Sequence, residues 1–246
     1  MNIVCKNCDV HFKGYYCPNC AQKASTTRLK PGNILHEFWH NFTHTDKSIV
    51  GLIRLLFINP GKVIREYIEG KRKKYFNPYT FFLIVTALLI YVAGKVFHYE
   101  DERYHYNNEF GQYISKHYNI IILLSLPFLA GLLRWIFLRK GYNYAEWVVF
   151  FVFAFGIINF IQLLIQLCYF PLVAYHASFN GYTLLLVYIV FIVVLLSFIQ
   201  PKKIWGWLQC LLAGVLVYFF VERIATGVAI AYWGMPLKKV INAVFS

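Results

Sequence analysis

The sequence predicts an all-α polytopic membrane protein with about five transmembrane helices, headed by a small N-terminal zinc ribbon or knuckle. Three observations carry this. The 246 residues are 59% hydrophobic and 20% aromatic but only 14% charged, against roughly 25% charged in soluble domains. Apolar runs of about 18 or more residues recur, the length a helix needs to cross a ~30 Å hydrocarbon core. Four cysteines crowd the start of the chain as two CxxC pairs.

The cysteine cluster defines a first unit, residues 1–24. Cys5-Lys-Asn-Cys8 and Cys17-Pro-Asn-Cys20 are separated by eight residues, so two thiolate pairs can converge tetrahedrally on one ion, the closed arrangement of structural zinc. A redox dithiol pair and an iron site are the alternatives. Phe12, Gly14, Tyr15 and Tyr16 suit a tight two-stranded turn between the pairs. The residue after each second cysteine tends to left-handed dihedrals, and here these are Asp9 and Ala21, where a side chain costs about 1 to 2 kcal/mol. Metal binding, worth about 10 kcal/mol or more, outweighs that cost. The first 20 residues lack the apolar stretch of a cleavable signal, which places the N-terminus in the reducing cytosol, where such a cluster reads as a metal site. Cys168 and Cys210 fall within apolar runs and read as small buried hydrophobes.

Residues 25–77 form a basic, helical juxtamembrane segment. Ile49, Leu52, Ile53 and Leu56 share one helical face, Asn59-Pro60-Gly61 breaks the helix, and Val63, Ile64, Tyr67 and Ile68 form a second stripe ending at a Gly70 C-cap. Both helices are expected on the inner leaflet. Asn77 and Pro78 supply an N-cap and first-turn proline for the first span. The run Lys71, Arg72, Lys73 and Lys74 places four cations at the bilayer surface, each worth about 1 kcal/mol against anionic headgroups. His36, His40 and His44 recur every four residues. Interfacial packing beside Phe38, Trp39 and Phe42 is preferred for them over a second metal site.

The transmembrane domain, residues 78–246, carries expected spans at about 78–98, 118–138, 145–170, 182–199 and from 204 to at least 221. The connections alternate in charge. Lys71–Lys74 precede the first span, and the next loop is acidic through Glu100, Asp101, Glu102 and Glu109. Arg139 and Lys140 follow the second span, residues 171–181 carry no formal charge, and Lys202 and Lys203 follow the fourth. This is the positive-inside pattern with a cytosolic N-terminus. Glu222 and Arg223 interrupt the last apolar run, leaving open a sixth, shallow segment after Arg223. The net charge of +13 does not signal nucleic acid, because thirteen of the 24 Lys and Arg lie in the first 74 residues and the rest mostly flank apolar runs.

Within the spans, Asn159, Gln162 and Gln166 share a face of the third helix, where amides serve as interhelical glue or, alternatively, line a polar path. Arg134, Glu146, Glu222 and Arg223 lie near span ends, where long side chains reach the interface. No paired carboxylates, nucleophile elbow, HExxH or phosphate-binding loop is present. His105 and His117, with the outer-loop acids, are the one polar cluster an enzyme could use.

The run HEFWHNFTHTDKSIVGLIRLLFINPGKVIREYIEGKRKKYFNPYTFF after CPNCAQK resembles a bacterial membrane family catalogued as a domain of unknown function, number 3667. The likeness covers about the first 90 residues. It rests on the paired CxxC motifs, Phe42-Thr43-His44, Asp46-Lys47, Pro60-Gly61 and Glu66-Tyr67-Ile68-Glu69-Gly70-Lys71-Arg72, and Ala21 stands where the family pattern has glycine. The resemblance implies a bacterial inner-membrane protein and brings no activity, substrate or catalytic residue. The residues favour a non-enzymatic scaffold or sensor, its ribbon meeting a cytoplasmic protein partner; the rival is a transporter, channel or lipid-handling protein.

Overall fold

The computed structural model describes residues 3–26, 28–29, 48–92, 109–169 and 179–233. His36, His40, His44 and His105 lie outside them, as does the side chain of His117. Among the described residues a two-stranded ribbon, β1 (Ile3–Val4) and β2 (His11–Phe12), precedes seven α-helices. These are α1 (Ile49–Ile58), α2 (Pro60–Glu69), α3 (Pro78–Tyr91), α4 (Glu109–Ile136), α5 (Tyr144–Tyr169), α6 (Phe179–Ile199) and α7 (Ile204–Trp233).

The short helices end where their sequence dictates. Asn59 closes α1 through its backbone N–H to the Leu55 carbonyl, and its side chain caps α2 by accepting from Lys62 N. Gly70 ends α2 at φ 116°, with the Lys71 N–H bonded to the Glu66 carbonyl and the Gly70 N–H to that of Tyr67, an arrangement that a residue with a Cβ resists. Asn77 caps α3 by accepting from Tyr79 N and Thr80 N.

Helix α5 is the hub, packing against α3, α4, α6 and α2. Its Phe150, Phe151, Phe153 and Phe155 are all buried. Trp147 is fully buried, stacked on Phe137 at 5.6 Å and met edge-on by Phe198 at 5.6 Å. Gly156 admits the Phe81 ring of α3, which a Cβ there would meet at 2.7 Å. Asn159 Nδ2 donates to Thr86 Oγ1 at 2.8 Å and ties α5 to α3.

Helix ends in an apolar setting leave carbonyls to satisfy, and side chains from other elements do so. Arg65 of α2 donates to the carbonyls of Ser197 and Phe198 (2.8 Å for the latter), and Lys140 to that of Ile199 at 3.2 Å. Two cations thus sit where the dipole of α6 is negative. Gln209 of α7 donates to the Ile136 carbonyl that ends α4, at 2.6 Å.

Three expectations change. The apolar stripe of α2 is covered by protein: Val63, Ile64, Tyr67 and Ile68 are all buried, Tyr67 lies edge-on to Phe153 at 5.5 Å, and Gly61 abuts the backbone of α6. In α1 the expected stripe is covered too, with Leu52 and Leu56 buried in the same core, while Val50, Leu55, Phe57 and Ile58 leave an exposed apolar face on its other side. Helix α4 starts at Glu109, well before the expected 118, so Glu109 opens the helix instead of lying in the acidic loop. Helix α7 runs unbroken through Glu222 and Arg223 to Trp233, because a helix bonds its own backbone and two charges alone do not end it.

Among the described residues two helices are able, by length and composition, to cross a bilayer, Tyr144–Cys168 and Ile204–Val221; the apolar stretches Pro78–Tyr91, Leu123–Ile136 and Leu185–Ile199 are shorter. The first is mostly buried and the second exposes most of its length, Trp205, Leu208, Leu212 and Phe219 among the uncovered side chains.

Candidate metal centre

Each CxxC pair sits in its own knuckle, and the two knuckles repeat one hydrogen-bonding scheme. The Cys5 carbonyl accepts from Asp9 N–H and the Cys17 carbonyl from Ala21 N–H; the Cys5 N–H donates to Val10 O and the Cys17 N–H to Gln22 O, all between 2.8 and 3.0 Å. The chain turns so tightly after each second cysteine that Asp9 (φ 59°) and Ala21 (φ 55°) both adopt the left-handed region. The strands flank the first knuckle, Ile3 opposite Phe12 and Val4 opposite His11, while a single bridge, Tyr16 to Lys23, closes the second. Gly14 at φ 124° makes the turn between them. The pairing therefore flanks the knuckles, where the aromatic spacing had suggested strands between them.

The two knuckles bring all four Sγ atoms within 4.8 Å of one another. Cys5 and Cys20 stand 3.5 Å apart, Cys8 and Cys17 3.5 Å, and Cys8 and Cys20 3.6 Å. Four sulfurs at ~2.3 Å from one ion in a regular tetrahedron lie about 3.8 Å apart, so the donor set fits a tetrahedral thiolate metal centre. Cys5 and Cys17 are buried beside Phe12, a core too small to hold so short a segment without a cross-link.

The thiols are unequal. A hydrogen bond from the Val10 backbone N–H lowers Cys8 to about 7, whereas burial raises Cys20 to about 12. A bound dication would favour the thiolate form of all four, so binding releases protons and weakens as pH falls.

The ribbon is seated on the helices. Gln22, buried next to the second knuckle, accepts through Oε1 from the Lys73 backbone N–H at 3.4 Å. Lys6 packs over Gly70, where a Cβ would meet its side chain at 3.1 Å. Beyond the ribbon, Arg28 grips Glu146 at the start of α5 with Nε to Oε1 at 2.6 Å and a terminal nitrogen to Oε2 at 2.8 Å. Leu29 is buried in the main core, and its carbonyl accepts from Asn143 Nδ2 at 2.7 Å. Glu146, expected to reach the interface, is 1% exposed. No local sequence signal pairs it with Arg28, 118 residues away.

The run Lys71, Arg72, Lys73 and Lys74 folds back on the end of α2. Glu66 accepts from Lys74 Nζ and the Tyr75 hydroxyl, both at 2.5 Å, with Lys71 Nζ at 3.7 Å. Burial alone would raise the Glu66 pKa. The hydrogen bonds from Lys74 and Tyr75, with the charges of Lys74 and Lys71, outweigh it and lower Glu66 to about 2. Because this lies below the ordinary 4.5, the cluster stabilises the fold fully above about pH 4.5 and loses that contribution as pH falls towards 2. Acid titration followed by tryptophan fluorescence should therefore show Glu66→Gln flattening the loss of stability across that window; an unchanged slope would remove Glu66 as its source.

Of the amide face on α5, Asn159 bonds α3 as described. Gln162 lines a groove between α5 and α6 with Ile158, Ile161, Ile165, Leu186, Val187 and Val190, too narrow to hold a water molecule. Gln166 Oε1 is buried with no hydrogen-bond partner among the described residues.

Neither a curated protein nor a solved structure matches the chain. A family model does, across residues 46–90, a stretch that begins after the four cysteines and holds α1, α2, the basic run and nearly all of α3. Over those residues the chain matches the family described as protein of unknown function (DUF3667), the family its sequence resembles.

Proposed function

We propose that the chain is a multi-pass protein of the bacterial cytoplasmic membrane, a non-enzymatic scaffold or sensor whose cytosolic ribbon holds one structural zinc through Cys5, Cys8, Cys17 and Cys20. The observation that carries this is the closed four-sulfur set seated on an apolar helical bundle. Four protein ligands leave no open position for substrate or water. The metal's chemistry is to stabilise four thiolates and so to hold the ribbon folded; the protein contributes the knuckle backbone and the Phe12 contact. Five spans follow from the recurring apolar runs and a cytosolic N-terminus from the loop charges, and the apolar side chains exposed along α7 suit lipid better than water. Anionic headgroups are the natural counterpart of Lys71, Arg72, Lys73 and Lys74, and nucleic acid is not.

Transport or lipid handling is the rival, drawing on Gln162 and on the Gln166 oxygen, which has no partner among the described residues. Purification in mild detergent, with metal analysis and identification of co-purifying proteins on one sample, should give one zinc per chain and a specific protein partner. Solute flux or lipid transfer in reconstituted vesicles, with no such partner, would favour the rival.

A further inference from the structure

Gln22 at the ribbon and Arg28 with Leu29 beyond it make specific contacts with the helical bundle. Gln22 belongs to the metal site through its carbonyl, which accepts from the N–H of the ligand Cys17 at 2.9 Å. Its side chain simultaneously accepts from Lys73. Six residues on, Arg28 spreads its fork over three acceptors, both Glu146 oxygens and the Gly141 carbonyl. Leu29 follows into the core beside it. The geometry is bidentate, which fixes direction as well as charge.

The Glu146 carboxylate also accepts from the Asn143 N–H at 2.8 Å, and Asn143 Oδ1 in turn accepts from the Glu146 N–H at 3.0 Å. Glu146 thus organises the first turn of the hub helix, and Arg28 supplies its positive partner. The Arg28 side chain is 59% exposed while that of Glu146 is 2% exposed. Arg28 is therefore the member free to leave, and leaving strands a buried carboxylate.

We infer that Gln22, Arg28 and Leu29 form a clamp through which the metal state of the four-cysteine ribbon controls the order of the hub helix's first turn and the Gly141–Asn143 loop before it. This rests on the zinc reading and adds to it a partner for the ribbon: the bundle of its own chain. With the ribbon folded, Gln22 and Lys6 are held on the end of α2, and Arg28 is delivered to Glu146. With the metal removed, the knuckles lose the cross-link that fixes Gln22, and the Arg28 contact loosens with them.

Hydrogen exchange read by mass spectrometry on the full chain in detergent tests this, comparing the zinc-loaded protein, the chelator-treated protein and two variants. Chelation should raise exchange several-fold in peptides spanning residues 138–150 as well as in the ribbon. Arg28→Ala should raise it in 138–150 while zinc stays at one per chain, and Arg28→Lys should restore part of the protection. Zinc present, with 138–150 unmoved by chelation or by Arg28→Ala, overturns the clamp and leaves the zinc site standing. Protein that purifies without zinc overturns both.

Discussion

Replacing Cys17 by serine should strip the metal from the ribbon and unfold residues 3–26 while the helices remain folded. Three thiolates and a hydroxyl make a far weaker zinc site than four thiolates, and in a structural zinc module the binding energy, about 10 kcal/mol or more, is the folding energy. The ribbon has little else. Its buried apolar set is Cys5, Phe12 and Cys17, and Asp9 and Ala21 are each strained by about 1 to 2 kcal/mol in the left-handed region. Elemental analysis should fall from one zinc per chain to near none. Helical circular dichroism should be almost unchanged, since the helices from α1 onward bury a separate core. Metal content that survives in Cys17→Ser contradicts the four-sulfur assignment.

Gly61→Ala should cost about 3 kcal/mol or more. A Cβ at this position would lie 2.0 Å from the Ser197 carbonyl oxygen and 2.1 Å from its carbon. Both are backbone atoms and cannot rotate away. Helices α2 and α6 would have to part, at about 1 to 3 kcal/mol for overpacking alone. Parting also breaks the bond from Gly61 N to Ser197 Oγ at 3.1 Å and pulls Arg65 from the carbonyls that end α6, at about 1 kcal/mol for each bond. Gly131→Ala is the control. Nothing lies within 4 Å of a Cβ built there, so its thermal midpoint in detergent should stay at or slightly above that of the parent, while Gly61→Ala drops well below. Equal midpoints would mean that α2 and α6 are not packed backbone to backbone.

Features written in neighbouring residues were legible in the sequence. The cysteine spacing, the left-handed positions after each pair, the Asn59-Pro60-Gly61 break, the Gly70 C-cap and the Asn77-Pro78 start all depend on a few adjacent residues, and all appear in the structure. What covers an apolar stripe is not local. The period of Val63, Ile64, Tyr67 and Ile68 gives a buried face but does not say whether lipid or protein buries it, and α2 proved to be protein-covered. Hydropathy likewise falls at Glu222 and Arg223 although the helix does not end there. Charge position near a span end suggested that Glu146 reaches the membrane interface. Its burial depends on Arg28, which only the folded chain brings near, and Gly61 gave no sign in sequence of the backbone it would meet.

These contacts also alter the reading of the ribbon. A module that sits on Gly70 and Lys73, with the Arg28–Glu146 pair just beyond it, has a partner within its own chain. Two of the four cations in the basic run are engaged by Glu66, which reduces their attraction for anionic lipid.

X-ray absorption at the zinc edge, on the full chain purified in detergent without added metal, tests the central claim most directly. The account predicts one zinc per chain in a single shell of four sulfurs at about 2.3 Å, with no oxygen or nitrogen ligand. A shell containing a light-atom ligand, or protein that carries no zinc, would contradict the closed four-cysteine centre.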